Sequence, residues 1–567
     1  MNTAGMRKSK IKSHFTQVRG RDVHYARAGE GPALVMLHAA PCSSKVMAPI
    51  QEIFSRDFTT FAIDLPGFGL SSSLPGDAPT TQDIADSILE TVDTLGLNKI
   101  ALYGRHTGAG VAVEFARRFP ERCSMVLTDG FPVFADPYSD ERLAEYLKPI
   151  EPHWDGSHLL WIWFRYREQH VFWPWDRQDN EHRADTDVPS DDFIHRGAIE
   201  ILQAENGYRK VYASAFRYAG LQVISDLKAP VCFGNRPGDS QYKTRKLYPP
   251  NAWTIELPRD QRTAAVLERE ILLMHPADSV VAAPASAFAS GPRALTVDYL
   301  DFDDNQSLLR TAGLDLPSAP LIVLHDLPGS SALHLDLIAE LGKGCPTIAP
   351  DLSGQGASAL GRGVVSVDLW ARQVRSAVSA LNYDQVNVLA IGTAAATATE
   401  LALLFPGLVK TIVFQSPPAF PAAMRTELVE RYPVEADPVW DGSHLTRVWH
   451  HMRDQEFWWP WFDRKAATAR THKLATDPWV LTRRVRESLM QPDNYAAVWK
   501  AILQYPLLEN MPLIECKTNV TSVVGDLFER WVDGACGVLN EKKPVRLPEK
   551  IDARARALHA MYDEPDG

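Results

Sequence analysis

The sequence predicts an α/β protein made of two tandem domains. Each is a doubly wound, mostly parallel sheet with an inserted, tryptophan-rich helical segment. Three observations carry this expectation. Short apolar runs rich in β-branched residues alternate with longer helical patterns. A distinctive stretch near residue 154 recurs near residue 440. One long segment in each half interrupts the strand–helix alternation.

In the first half, ALVML (33–37), TTFAI (59–63), IALYG (100–104), SMVLT (124–128) and PVCFG (230–234) are continuous apolar runs. Strands covered by helices on both faces read this way. IADSILETVDTLG (84–96) and GVAVEFARRF (110–119) carry helical spacing and supply the cover. The span from about 131 to 225 is helical and lies between two strands, where an inserted lid would lie.

The second half repeats the first. HWDGSHLLWIWFRYREQHVFWPW (153–175) aligns without a gap on VWDGSHLTRVWHHMRDQEFWWPW (439–461). Ten of the 15 tryptophans fall in these two stretches, which makes the repeat visible by eye. The offset from Trp154 to Trp440 is 286. EFARRFPE (114–121) meets ELALLFPG (400–407) at the same offset, and DLPGFGLS (64–71) meets DLSGQGAS (351–358) one residue later. A period this long is a duplicated domain, not a solenoid unit. The expected layout is a first domain at 1–280 with its lid at about 131–225, a linker at 281–295, and a degenerate second domain at 296–567 with its lid at about 417–510.

Bulk properties narrow the function classes. A net charge of −11 argues against nucleic acid, which asks for a basic face. No apolar run is long enough for a membrane span, and the basic N-terminus has no apolar core behind it, so a cytoplasmic protein is expected. Six scattered cysteines without CxxC or Cys/His spacing read as reduced thiols rather than disulfides or a zinc site. No cofactor fingerprint or metal cluster is visible, so none is expected. The expected partner is a small hydrophobic substrate. The two halves would form a pseudo-dimer within one chain, with further homo-oligomerisation left open.

Residues 102–110, LYGRHTGAG, form the key motif: a strand leads in, small residues flank a central position, and a helix leads out. Together with His38-Ala39-Ala40-Pro41, Asp64-Leu65-Pro66-Gly67-Phe68-Gly69 and Phe119-Pro120-Glu121-Arg122, the motif resembles the lidded α/β-hydrolase superfamily. The likeness covers both halves. It implies a nucleophile elbow at 106 and 392, an oxyanion loop at 38–41, an acid after a late strand, and a late histidine. Here the elbow carries His106 in the first copy and Gly392 in the second, and the late position offers Arg259, Asp260 and Gln261 in place of histidine. Neither half resembles a working serine hydrolase.

The candidate site follows. The elbow forces φ > 0, which glycine adopts freely and histidine tolerates. His106 would act as a general base or, second, as a nucleophile. Asp129, at the end of a strand, is the favoured acid beside it, with Asp239 in RPGDS as the other candidate. The resemblance assigns an oxyanion hole to the backbone N–H groups of Thr107 and Ala39. In the second copy Asp326 replaces Ala39, and a carboxylate there would oppose a developing negative charge. Substrate-binding candidates are Arg105, His158, Arg167, Trp163, Trp173 and Trp175. His38 and His325 hold the loop by side-chain hydrogen bonds, with His38 counted among the pocket residues. Asp64 and Asp351 shape turns. The expected activity is hydrolysis of an ester, lactone or carbon–carbon bond, or lyase-type acid–base chemistry, on a hydrophobic, aromatic small molecule in the first domain. The rival is a non-catalytic pseudohydrolase that binds a small molecule or a protein.

Overall fold

The computed structural model describes residues 10–134, 137–280, 295–471, 477–541 and 543–563. The chain divides into two compact units, Met1–Glu151 with Trp161–Ala285, and Pro152–Leu160 with Ser286–Gly567. All but the last residue of the expected linker lies outside the described residues. The segment Pro152–Leu160, expected in the first domain, groups with the second unit. There Trp154 O accepts a hydrogen bond from Trp449 Nε1 at 3.2 Å.

The first unit is built on eight strands: β1 (Lys12–Val18), β2 (Arg21–Ala28), β3 (Ala33–Leu37), β4 (Thr59–Ile63), β5 (Ile100–Arg105), β6 (Cys123–Asp129), β7 (Val231–Asn235) and β8 (Trp253–Glu256). They lie in the order β1-β2-β4-β3-β5-β6-β7-β8. The contacts of β2 with β1 and β4 are antiparallel, and every pairing from β4 to β8 is parallel. The five runs read from sequence are β3 to β7. Every residue of β3, β4 and β7 is buried, as strands packed on both faces demand. The hairpin β1–β2 was not expected. Its partly exposed, mixed-polarity strands carry no continuous apolar signal.

Helix Ala48–Phe54 packs Ile50, Ile53 and Phe54 against Met36, Tyr103 and Met125 on one sheet face, joined by Leu272 of helix Gln261–Leu272. Fully burying side chains of this kind stabilises the fold by roughly 1.5–3 kcal/mol each. Helices Thr81–Thr94 and Thr107–Arg118 are the two helices expected to cover the sheet. Thr80 and Asp83 form a capping box at the start of the first. Between β6 and β7 run helices Asp140–Tyr146, Ser157–Glu168, Asp191–Ala204 and Tyr208–Arg217, the expected insertion.

The second unit repeats this plan with β9 (Thr296–Phe302), β10 (Asn305–Ala312), β11 (Leu321–Leu324), β12 (Thr347–Pro350), β13 (Val386–Ile391), β14 (Val409–Gln415), β15 (Lys517–Ser522) and β16 (Val545–Arg546). Their order β16-β15-β14-β13-β11-β12-β10-β9 is the first sheet's order read from the other edge. Among the described residues no helix is long and apolar enough to cross a membrane.

Candidate active site

β5 ends at Arg105, and helix Thr107–Arg118 starts two residues later. His106 makes the turn between them at φ 44° and ψ −111°. A non-glycine residue at such angles costs on the order of 1–3 kcal/mol, so the surroundings must impose it. They do. A Cβ on Gly104 would lie 2.5 Å from Gly108 O, and one on Gly108 would lie 2.2 Å from Leu37 O. Gly108 N also donates to His38 O at 3.1 Å. Strand and helix meet with only glycine between them, and the ring of His106 is thrust off the sheet edge.

His106 Nε2 lies 2.9 Å from Asp239 Oδ2. Asp239 stands in the loop after β7, where Gln241 N donates to its other oxygen at 2.8 Å. Burial opposes the Asp239 charge, but the charge and hydrogen bond of His106, the Gln241 N–H and the charge of Arg105 outweigh it and hold the carboxyl at about 2. Burial also disfavours a protonated His106. The charge and hydrogen bond of Asp239 prevail, and the ring's pKa rises above its ordinary 6.5. With Nε2–H directed at the carboxylate, Nδ1 is the free basic nitrogen, with no protein partner among the described residues.

The favoured acid is corrected. The Asp129 carboxylate does not pair with the His106 ring, and only its backbone O accepts from His106 N, at 3.3 Å. Asp129 Oδ2 accepts from Arg236 Nη2 at 2.7 Å and lies 3.2 Å from Arg105 Nε. The register explains this. Arg105 on β5 is the direct neighbour of Asp129 on β6, so their side chains share a face, and the next residue turns away. Glu268 completes a buried charged cluster, accepting from Tyr103 OH at 3.3 Å. Burial and the Asp129 charge push it up to about 8. Arg105, a substrate-binding candidate, therefore shares the Asp129 carboxylate with Arg236 inside the protein.

Other candidates are placed as follows. Thr107 N–H begins the helix, and neither it nor Ala39 N–H has a protein acceptor among the described residues. Thr107 Oγ1 accepts from Ala40 N at 3.4 Å, which ties the loop to the elbow. His38 is fully buried with both nitrogens engaged: Nδ1 donates to Ala39 O at 2.9 Å and Nε2 accepts from Leu65 N at 2.8 Å. With both nitrogens taken up in this way, it braces the loop. His158 belongs to the second unit, with Nε2 3.0 Å from Thr482 Oγ1 and Nδ1 accepting from His153 N at 3.2 Å. Arg167 pairs with its neighbour Glu168 at 2.7 Å. Trp163 is buried. Trp175 donates from Nε1 to Tyr146 O at 3.1 Å, and Trp173 stacks on Phe216. The late position holds no base: Arg259 pairs with Asp185 at 2.5 Å, and Asp260 caps the following helix.

Sequence reasoning missed two lid residues, Arg165 and His170. Both carry buried nitrogens without a hydrogen-bond partner. Burial first, then the charges of Arg165 and His106, push His170 down to about 4.

The second unit keeps the turn and closes the site. Gly392 sits at φ 54°. Asp326 Oδ1 accepts from both Thr393 N and Thr393 Oγ1 at 2.9 Å. A Cβ on Gly392 would lie 2.2 Å from that oxygen. The carboxylate thus occupies the place where an elbow side chain and an oxyanion would meet. Asp526, at the place of Asp239, accepts from Ser416 Oγ at 2.8 Å and Gln415 Nε2 at 3.0 Å. Asp351 accepts from Ala357 N at 3.0 Å, as Asp64 does from Leu70 N at 2.9 Å, and both shape turns.

Residues 32–157 and 319–440 both match the alpha/beta hydrolase fold family. With two eight-stranded sheets of the same order, each half carrying one of these matches, the chain is a tandem duplication of an α/β-hydrolase-like domain. It is similar to an uncharacterized hydrolase of Saccharomyces cerevisiae, 26% identical over 151 residues, covering 26% of this chain and 51% of that protein. It is also similar to (E)-2-((N-methylformamido)methylene)succinate hydrolase of Acinetobacter baylyi, 35% identical over 89 residues, 16% of this chain and 34% of that one. A third relative is a soluble epoxide hydrolase of Corynebacterium sp., 32% identical over 108 residues, 19% and 37% of the two chains. The matches thus span between a third and a half of each relative's length.

Proposed function

We propose that the first unit is a serine-independent hydrolase of an aromatic ester or lactone, with His106 as general base. The observation that carries this reading is the His106 Nε2–Asp239 Oδ2 pair at 2.9 Å, placed at the elbow beside the free N–H groups of Ala39 and Thr107. Asp239 fixes the tautomer and stabilises the imidazolium that forms. Nδ1 takes a proton from water as the water oxygen attacks the carbonyl carbon. The oxyanion is held by the two backbone donors. When the tetrahedral adduct collapses, the carbon–oxygen bond breaks and the imidazolium returns its proton to the departing alkoxide. His106 thereby serves at a position where its superfamily keeps a nucleophile.

The non-catalytic reading is favoured for the second unit, where the Asp326 carboxylate already takes the Thr393 N–H.

The test is turnover of aryl ester and lactone panels by the full chain. His106→Ala should lower kcat about 10²–10⁴-fold, the range for a lost general base. The rate should rise with pH, with a midpoint above 6.5, because only the neutral ring accepts a proton and its pKa is raised. Asp239, Arg105, Asp129 and His170 are the charged and titratable groups that set that midpoint. A serine-directed fluorophosphonate should leave the protein unlabelled. Undiminished turnover in His106→Ala sinks the reading.

A further inference from the structure

Arg165 lies inside the helical insertion with 1% of its surface exposed. Burying a guanidinium is costly unless an anion and hydrogen bonds replace the water it loses. Yet among the described residues it makes a single hydrogen bond, from Nη1 to Gln169 Oε1 at 3.1 Å. Nε and Nη2 are both buried and have no hydrogen-bond partner. Among the described residues no carboxylate forms an ion pair with it. The guanidinium is held by aromatic faces instead, 4.5 Å from the centre of the Trp175 ring and 5.4 Å from that of Tyr146.

The two unpartnered nitrogens define what would satisfy them. Nε–H and Nη2–H point in parallel from one edge of a planar group, the fork that matches the two oxygens of a carboxylate. His170 Nε2, also buried and unpartnered, lies within electrostatic range of both Arg165 and His106. Cation, second polar atom and candidate base therefore belong to one region of the first unit. Arg105 has a carboxylate beside it, Asp129 at 3.2 Å, whereas Arg165 has none among the described residues.

The duplication sharpens the point. Tyr146 and Trp175 recur as Tyr432 and Trp461, while position 165 becomes His451, bonded through Nδ1 to Tyr495 OH at 2.8 Å. The cation is present only in the copy that also has His106.

We infer that the substrate of the first unit is an aromatic ester or lactone that also carries a free carboxylate, gripped side-on by Nε and Nη2 of Arg165 with its ring among Tyr146, Trp173 and Trp175. This rests on the reading of the first unit as the reactive one, and it names the chemical class of that substrate. Arg165 is a binding residue here. It orients the ligand so that the scissile carbonyl reaches His106.

The experiment compares matched probes binding to the full chain by calorimetry: phenylacetate against phenylacetamide, and benzoate against benzamide. In each pair the carboxylate should bind at least tenfold tighter than the amide. Arg165→Gln should erase that preference. Arg165→Lys, which keeps the charge and loses the fork, should reduce it at least threefold. His106→Ala should retain it. If Arg165→Gln does not fold, the wild-type pairs and Arg165→Lys still decide. Equal affinity for acid and amide overturns the inference, as does absence of carboxylate binding. A preference that survives Arg165→Gln but vanishes in His106→Ala also overturns it, because the imidazole would then hold the anion. Loss of the hydrolase reading looks different: carboxylate preference intact, with no turnover of any ester.

Discussion

One position separates the two halves of the chain more sharply than the elbow itself. After the loop histidine the first copy has Ala39 and the second has Asp326. Both elbows take a positive φ, and both offer a threonine N–H at the start of a helix. In the first unit that N–H has no protein acceptor among the described residues. In the second a carboxylate has already taken it. Losing a serine does not by itself decide whether such a turn can still react. An imidazole at the elbow with its acid 2.9 Å away keeps the means for proton transfer. A glycine facing a carboxylate keeps only the backbone.

The sharpest way to break this contrast is to give the first unit the second unit's plug. Ala39→Asp should place a carboxylate on Thr107 N–H, in the geometry that Asp326 adopts on Thr393. The expected loss is about 10²–10³ in kcat, the scale for removing an oxyanion donor. Folding should be retained, since the second unit accommodates the same arrangement. Turnover unchanged in a folded Ala39→Asp would show that the backbone donors contribute nothing.

The next effect is on stability. Gly392→Ala adds a Cβ at φ 54° and 2.2 Å from Asp326 Oδ1. The backbone alone should cost about 1–3 kcal/mol, read by urea unfolding of the full chain. An alanine tolerated without loss would mean that the plug moves easily, and the second site would be less closed than its geometry implies.

These contrasts were partly legible in the residues. The central strands announced themselves as continuous apolar runs, and the paired tryptophan stretches exposed the duplication. His106 was marked by the glycines that the close strand–helix approach requires. The acid was not legible in the same way. Asp129 is near in sequence logic, but the β5–β6 register gives it to Arg105. Asp239 reaches His106 through a loop whose path no periodicity encodes. The repeat marks Arg167, which has a match in Arg453, and is silent on Arg165, which has none. Matching between copies selects what both need for folding. Arg167 and Arg453 each pair with the next residue in the chain, while the unmatched arginine is the buried one.

The smallest expected effect tests whether the plug is a cost that the second unit carries. Burial first raises the pKa of Asp326, against the hydrogen bonds from Thr393 and the charges of Arg484 and His325, and the net shift is upward. The folded state therefore holds this proton more tightly than the unfolded state does. Stability then falls as pH rises from the ordinary carboxylate value through the folded one, and the cost is fully present above the folded value. Below the ordinary value the group is neutral in both states and costs nothing. Asp526 shares the environment, and burial first, with the Asp326 charge adding to it, raises its own pKa against the hydrogen bonds from Ser416 and Gln415. Asp326→Asn keeps an oxygen for Thr393 and removes the charge. Its thermal midpoint should exceed that of the wild type at pH 7 and coincide with it at pH 3. A midpoint at or below wild type at pH 7 would mean that the carboxylate's two bonds to Thr393 outweigh its burial, and that the closed hole stabilises the second unit.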